Sequence, residues 1–336
     1  MNSRCYVIAE AGLNHNGDLE IAKRLIAVAS EAGADCVKFQ KRHVATLAVS
    51  EILDAKDDRF PALGTTYREL RERHEFSLGQ FQELKAAAEA AEMDFLCTPF
   101  DRESVDFLEE LSVGAYKVAS HSNTNLPLLR HIASLGKPTF MSAGACTLDE
   151  LDDAVDAFKS AGTHLTVLHC VSSYPTPPEE ENLSSIGMLR ERYEVPVGYS
   201  GHEIGYVPTL AAVALGAVAV ERHFTLDKTT VGFDHRISLE PEELGSMVRD
   251  IRTVEASLGS PRKEVSEREL ITRNKYKVSM VTSRPILEGT VITEEMITYR
   301  NPGTGIHPRD AASVLGKRAA VDIAEDTLIE TSMVRG

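Results

Sequence analysis

A lysine interrupts each of two apolar runs in this chain, Lys38 in "DCVKFQ" and Lys117 in "AYKVAS", and small polar groups follow it. Glu10 closes "YVIAE", Gln40 follows Lys38, Thr98 sits in "DFLCTPF", Ser120 follows Lys117, and Ser142 ends "PTFMS". Further on, His169 lies in "LTVLHC", Ser200 and His202 in "VPVGYSGH", and His223 in "AVAVERHFT". Charged side chains are almost never fully buried without partners. Any one of these residues alone reads as a satisfied core polar group. Two lysines, a glutamate and three histidines placed alike read together as a site.

Adjacent ammonium groups make a clamp for phosphate or carboxylate. A desolvated lysine is alternatively a Schiff-base nucleophile, and a third reading pairs both lysines with Glu10. On neighbouring strands, about 4.8 Å apart, His202 and His223 can share one divalent ion. With no cysteine set beside them they suit Mn²⁺, Zn²⁺ or Fe²⁺, with positions open to water and substrate. Asp234 and His235 in "VGFDHRISLEP" are placed to add an acid/base group or a contact to a metal-bound water.

Eight short runs position these residues: "YVIAEAG" (6–12), "DCVKFQ" (35–40), "DFLCTPF" (94–100), "AYKVAS" (115–120), "PTFMSAG" (138–144), "LTVLHC" (165–170), "VPVGYS" (195–200) and "AVAVERHFT" (217–225). They are nearly continuous apolar runs, as in a parallel sheet buried on both faces. Helical patterns lie between them. One spans 18–33, with Asp18 as N-cap and Gly33 as stop; another carries a capping box at Thr147 and Glu150. Eight β-then-α units over about 250 residues predict an α/β fold, a (β/α)8 TIM barrel whose site lies at the strand C-termini. An open doubly wound sheet is the rival, and the first turn, "AEAGLNHNGD", has no G-x-G-x-x-G fingerprint for a dinucleotide. Residues 41–76 are too long for a simple loop and are expected to add structure over the barrel mouth. The expected organisation is a barrel domain at 1–258, a polar linker at 259–275 and a small, mostly β domain at 276–336.

The net charge of −15 argues against nucleic acid or an anionic membrane as partner. Five cysteines, with no C-x-x-C pair, read as reduced thiols in a reducing compartment. No signal-peptide pattern opens the chain and no run approaches a membrane span, so a cytoplasmic protein is expected.

The stretches "IAEAGLNHNGDLEIAK", "AGADCVKFQ", "LHCVSSYPTP", "GYSGHEIG" and "ERHFTLDKTTVGFDHRISLEP" resemble, in order, the motifs of the sialic acid synthase family. That family comprises the N-acylneuraminate synthases and their legionaminate, pseudaminate and spore-polysaccharide relatives. The tail "RNPGTGIHPRDAASVLGKRAAVDIAEDTLI" resembles its antifreeze-like (SAF) domain, so the likeness spans essentially the whole chain. The resemblance implies condensation of phosphoenolpyruvate with an acylated hexosamine aldehyde, usually on Mn²⁺. It implies metal ligands at His202 and His223 and phosphoenolpyruvate contacts from Lys38, Lys117, Gln40, Thr98, Ser120, Ser142 and Ser200. Glu10 becomes a catalytic carboxylate, while Tyr174 and Asp234 face the sugar. It also implies a homodimer in which the SAF domain reaches the partner's barrel.

Three positions depart from the pattern. Members handling N-acetylmannosamine show Lys-x-x-Ser-x-Glu after strand 4, whereas here Lys117 and Ser120 are followed by Ser122. Ser172 stands where an asparagine is common, and Asn301, preceded by Arg300, stands where an arginine precedes Pro-Gly. All three fall on expected sugar contacts, which implies a modified aldose. A related synthase making a 3-deoxy-2-ulosonate from an unaminated sugar, and a non-catalytic sugar-binding descendant, are the alternatives.

Overall fold

Strand alternation builds the barrel's inside and outside from the same short runs. Strands β1 (Tyr6–Gly12), β2 (Cys36–Lys41), β3 (Asp94–Pro99) and β4 (Tyr116–Val118) are followed by β5 (Thr139–Ser142), β6 (Leu165–Cys170), β7 (Val197–Gly201) and β8 (Ala219–His223). All eight pair in parallel in the order β3-β2-β1-β8-β7-β6-β5-β4, and β3 approaches β4 to nearly close the ring. A (β/α)8 architecture therefore holds.

Successive side chains on a strand point to opposite faces. Outward residues such as Val7, Val37, Cys97, Tyr116, Met141, Val167, Tyr199 and Val220 join the main core beneath the surrounding helices. The other parity faces the barrel axis. At the strand N-termini it supplies a small apolar plug of Ile8, Cys36 and Leu96, with Tyr6, Ala115 and Phe140 against it. Two residues further along the same strands come Glu10, Lys38, Thr98, Lys117 and Ser142, all buried. One periodicity thus seals the bottom and arms the top.

The computed structural model describes residues 4–336, so residues 1–3 of the expected barrel domain lie outside the described residues. Asp18 caps the helix Leu19–Glu31 by accepting from Glu20 N and Ile21 N. The capping box at Thr147 and Glu150 opens Leu148–Ala161. The insertion after β2 carries short helices at Val44–Leu47, Ser50–Leu53 and Tyr67–Glu72.

The chain divides into two compact units between Gly259 and Ser260. Within the second unit a helix, Glu267–Tyr276, occupies much of the stretch expected to be linker. Its cause is local: Ser266 and Glu269 form a reciprocal capping box. Short antiparallel pairs follow, β9 (Ser279–Thr282) with β10 (Ile297–Arg300) and β11 (Arg318–Ala319) with β12 (Val334–Arg335). They surround a separate core of Met280, Ile286, Ile292, Ile297, Val314, Ala319, Ile323 and Ile329.

One outward residue of β8 is not apolar. Arg222, 1% exposed, donates to Glu203 Oε1 at 2.6 Å, to Thr209 Oγ1 at 2.9 Å and to the Glu203 carbonyl at 2.8 Å. This pair ties the segment after β7 to β8, one residue from His202 and one from His223. Removing one member leaves a buried charge uncompensated, which typically costs about 3–5 kcal/mol. Arg222→Ala is therefore expected to lower barrel stability by about that much in urea unfolding, and a loss under about 1 kcal/mol would show that the pair is not holding the segment.

Candidate active site

Glu10, Lys38 and His223 stand side by side, because β1 pairs Glu10 with Lys38 on one side and with His223 on the other. Lys38 Nζ lies 2.8 Å from Glu10 Oε2, donates to Thr98 Oγ1 at 3.0 Å, and sits 3.7 Å from Glu221 Oε1. Gln40 Nε2 donates to Glu10 Oε1 at 2.6 Å. Lys117 Nζ donates to Ser142 Oγ at 2.7 Å and to the Val118 carbonyl at 2.9 Å, with Glu221 Oε1 at 3.8 Å. Glu221 thus lies between both ammonium groups, and Ser200 Oγ donates to it at 3.3 Å. The two lysines do share one site, as their strand positions suggested.

Their electrostatics differ. Burial works against the charge on Lys38, but Glu10 and Glu221 outweigh it and hold its pKa above the ordinary lysine value. Lys117 is pushed below that value by burial, which Glu221 opposes only in part. Ser120 Oγ accepts from Gly144 N at 3.0 Å, and Ser172 and Tyr174 join the wall of the same cavity, which has a volume of about 560 Å³.

The imidazoles of His202 and His223 lie 5.6 Å apart, and the Tyr174 ring is 4.0 Å from that of His202. His202 Nδ1 lies 2.8 Å from the Val171 carbonyl, a bond that makes this nitrogen the donor and leaves Nε2 as a lone pair. Burial, and next the neighbouring His223, press the His202 pKa down to about 4, so the ring is neutral and ready to ligate. His223 Nδ1 is buried with no hydrogen-bond partner among the described residues, and Asp234 Oδ2 is 3.8 Å away. Gly12 (φ +53°) keeps this corner open, since a Cβ there would stand 3.3 Å from Glu10 Oε1 and 3.4 Å from His223 Nδ1. The neutral His202 ring and the unpartnered Nδ1 of His223 fit a divalent ion. No set of three or more His, Cys, Asp or Glu side chains is arranged for a metal among the described residues.

Several expected residues fall elsewhere. His169 faces outward, with Nε2 2.7 Å from the Glu181 carbonyl, and its neighbour Cys170 enters the cavity instead. Alternation along β6 explains this: only one of two successive residues can face the axis. Ser122, 3% exposed, lines a side cavity of about 320 Å³ that shares only Phe100 and His121 with the main one. Arg300 and Asn301 belong to the second unit, where Arg300 Nη1 pairs with Asp326 Oδ1 at 2.6 Å.

Sequence reasoning missed Glu221, although it stands two positions before His223 and strand alternation puts it on the same face. It also missed Arg42, Arg59, Arg71, Phe100, His121 and Phe233 in the cavity wall. The insertion that carries the three arginines has no regular pattern to announce where they point.

The turn "LNHNG" after β1 fastens the segment that carries Phe233 and Asp234. Asn14 Nδ2 donates to the Phe224 carbonyl at 2.7 Å and to Ser238 Oγ at 2.8 Å, and Ser238 Oγ in turn donates to the Asp234 carbonyl at 2.7 Å. His15 packs its ring 4.5 Å from Phe76 and accepts from Gly17 N at 3.0 Å through Nδ1.

Compared with known proteins, residues 25–263 match the model of the NeuB family, and residues 277–335 match that of the SAF domain. N-acetylneuraminate-9-phosphate synthase of Homo sapiens is 40% identical over 98% of this chain and 92% of its own length. N,N'-diacetyllegionaminic acid synthase of Legionella pneumophila is 38% identical over 97% of this chain and 93% of its own. The crystal structure of N-acetylneuraminic acid synthetase from Leptospira borgpetersenii, in complex with citrate, superimposes with a TM-score of 0.71 at 35% identity, covering 81% of this chain and 90% of that one.

The packing of His15 has a consequence for acid stability. Burial first, and the nearby His74 next, press its pKa down to about 3 from the ordinary 6.5, and burial presses His74 to about 4. Protons then bind the unfolded chain more readily than the folded one between these values. Stability is fully present above about pH 6.5 and is lost as the pH falls toward 3, with His15 alone contributing several kcal/mol, on the order of 1.4 per unit. Urea midpoints measured from pH 7 to pH 4 should fall, and His15→Gln should flatten that slope; an equal slope in the variant would refute this origin.

Proposed function

The chain belongs to the NeuB family, and from that membership we propose that it condenses phosphoenolpyruvate with an N-acylated hexosamine to give a sialic-type nonulosonic acid and phosphate. The observation that carries this reading is the meeting of two lysines, two carboxylates and two histidines in one cavity at the strand C-termini. That is where barrels of this class place their chemistry.

Phosphoenolpyruvate brings a phosphate and a carboxylate. Lys38 and Lys117, with hydroxyls from Thr98, Ser120, Ser142 and Ser200 and the amide of Gln40, supply the donors that hold both. C3 of phosphoenolpyruvate bonds to the aldehyde carbon of the open-chain sugar, and water adds to the cationic C2. The tetrahedral centre then expels phosphate by C–O cleavage. Glu10 and Asp234 are placed to move the proton lost by water and the one gained by the aldehyde oxygen. The lysines stabilise charge on the departing phosphate. A divalent ion bound by His202 and His223, which we take to be Mn²⁺, would supply Lewis-acid polarisation of the aldehyde oxygen.

Ser172 and Tyr174 are proposed to face the acylated part of the sugar. Arg300 and Asn301 are proposed to reach the partner's barrel in a homodimer; Arg300, exposed at the end of β10, pairs only with the exposed Asp326 among the described residues. No helix of the described residues is long and apolar enough to cross a membrane, and the free cysteines suit a reducing cytoplasm.

Mixing the protein with phosphoenolpyruvate, Mn²⁺ and an N-acylhexosamine should release phosphate, and a chelator should stop it. Lys117→Met is expected to lower kcat/KM by about 10²–10³-fold, the usual cost of losing a preorganised electrostatic contact. His202→Ala should abolish metal-dependent turnover. Sugar binding without phosphate release would point to a non-catalytic descendant, and release only with unaminated sugar phosphates would point to an ulosonate synthase.

A further inference from the structure

The reaction proposed above gives Arg42 no task, although this residue lines the active cavity and is only 6% exposed. It stands two positions after Gln40, so strand alternation keeps both side chains on the cavity face. Lys41 between them turns away, with its ammonium 4.9 Å from the centre of the Phe107 ring. Arg42 is held at three points. Its guanidinium carbon lies 3.9 Å from the centre of the Phe100 ring, and its Nη1 lies 3.8 Å from Glu75 Oε1. Its backbone N–H donates to Glu75 Oε2 at 3.1 Å. One amino group then donates to Gln40 Oε1, and Gln40 Nε2 donates to Glu10 Oε1 at 2.6 Å. Arg42, Gln40 and Glu10 thus form a chain of hydrogen bonds that ends on a carboxylate proposed to move protons.

The direction of this chain is set at both ends. A guanidinium carries only donors, and an ionised carboxylate only acceptors. An amide between them has one satisfactory orientation, with its oxygen toward Arg42 and its NH2 toward Glu10. The reverse would set the amide oxygen against the carboxylate and the amide hydrogens against a cation. Burial first, and the charge of Arg71 next, lower the Arg42 pKa to about 10, which leaves it protonated at neutral pH. Gln40 is the one hydrogen-bond donor to Glu10 Oε1 among the described residues, and its second N–H remains for phosphoenolpyruvate. Without Arg42 the amide keeps a single anchor, and its two ends are nearly alike in shape.

We propose that Arg42 is a positioning residue, which locks the Gln40 amide, and through it the Glu10 carboxylate, in the orientation that the chemical step needs. The inference rests on the synthase reading above, which gives Gln40 and Glu10 their tasks. It requires no contact between Arg42 and either substrate.

The test measures phosphate release by the full chain with phosphoenolpyruvate, Mn²⁺ and N-acetylmannosamine or its 6-phosphate, whichever turns over. Small misplacements of catalytic groups are expensive, so Arg42→Met should lower kcat by about 10- to 100-fold. The KM for the aldose should stay unchanged, since a lost binding contact would raise it instead. Arg42→Lys, which keeps a donor-only cation, should recover part of the loss. In a Gln40→Leu background, Arg42→Met should cost little more, because residues acting as one unit are not additive. Urea midpoints confirm that each variant is folded. An unchanged kcat in Arg42→Met, a loss of equal size in the Gln40→Leu background, or no recovery in Arg42→Lys overturns the inference and leaves the synthase reading intact. A raised KM for the aldose at unchanged kcat would make Arg42 a substrate contact and likewise overturn it. If Gln40→Leu leaves no turnover to compare, the recovery in Arg42→Lys decides alone. No phosphate release with either aldose in the unsubstituted chain overturns both.

Discussion

Two ammonium groups and two carboxylates are held out of water at the mouth of this barrel, Glu221 lying within 4 Å of both Lys38 and Lys117. Such a group is stable only if every charge has a counter-charge and its remaining hydrogens have acceptors. Thr98, Ser142 and the Val118 carbonyl accept from the two lysines, and Gln40 donates to Glu10. The arrangement therefore tolerates little displacement of any strand. A phosphate entering here meets donors already fixed in place, which is the condition for electrostatic stabilisation of a leaving group.

The histidine pair depends on a second buried ion pair that faces the other way. Arg222 is the outward neighbour of both Glu221 and His223, and its partner Glu203 follows His202. The inward and outward faces of β8 are thus coupled by covalent adjacency. The inward face carries Glu221 and His223 into the cavity, while the outward one ties β8 to the segment that follows His202.

The charge distribution also separates the molecule from its site. A net charge of −15 keeps the surface anionic, yet the cavity gathers five basic side chains from β2, β4 and the insertion. Local enclosure outweighs the global sign, because groups lining a low-dielectric cleft act at close range while surface charges are screened within about 10 Å. The insertion supplies the positive wall, and the "LNHNG" turn anchors the segment that carries Phe233 across from it.

Strand and helix periodicity, eight apolar runs and capping residues were legible in the sequence, because each is set by local steric and hydrophobic rules. So were Glu10, Lys38, Lys117, His202 and His223, since a polar or charged group inside an apolar strand must meet a partner or a ligand. What the sequence left open was direction. His169 and Glu221 both sit in apolar runs, and only the sheet's pleat and register decided that one meets the Glu181 carbonyl and the other faces two lysines. Ser122 lay close to Ser120 in the chain, but the 3-10 turn Ser120–Ser122 rotates it into a neighbouring cavity. Arg59 and Arg71 sit in an aperiodic insertion, and their convergence with Arg42 arises from packing around Phe233 and Phe100, contacts between residues far apart in the chain. The sequence by itself determined which chemistry is present, through residue type and strand position; tertiary structure alone decided which charges meet, because Coulomb and hydrogen-bond energies depend on distances that no local rule sets.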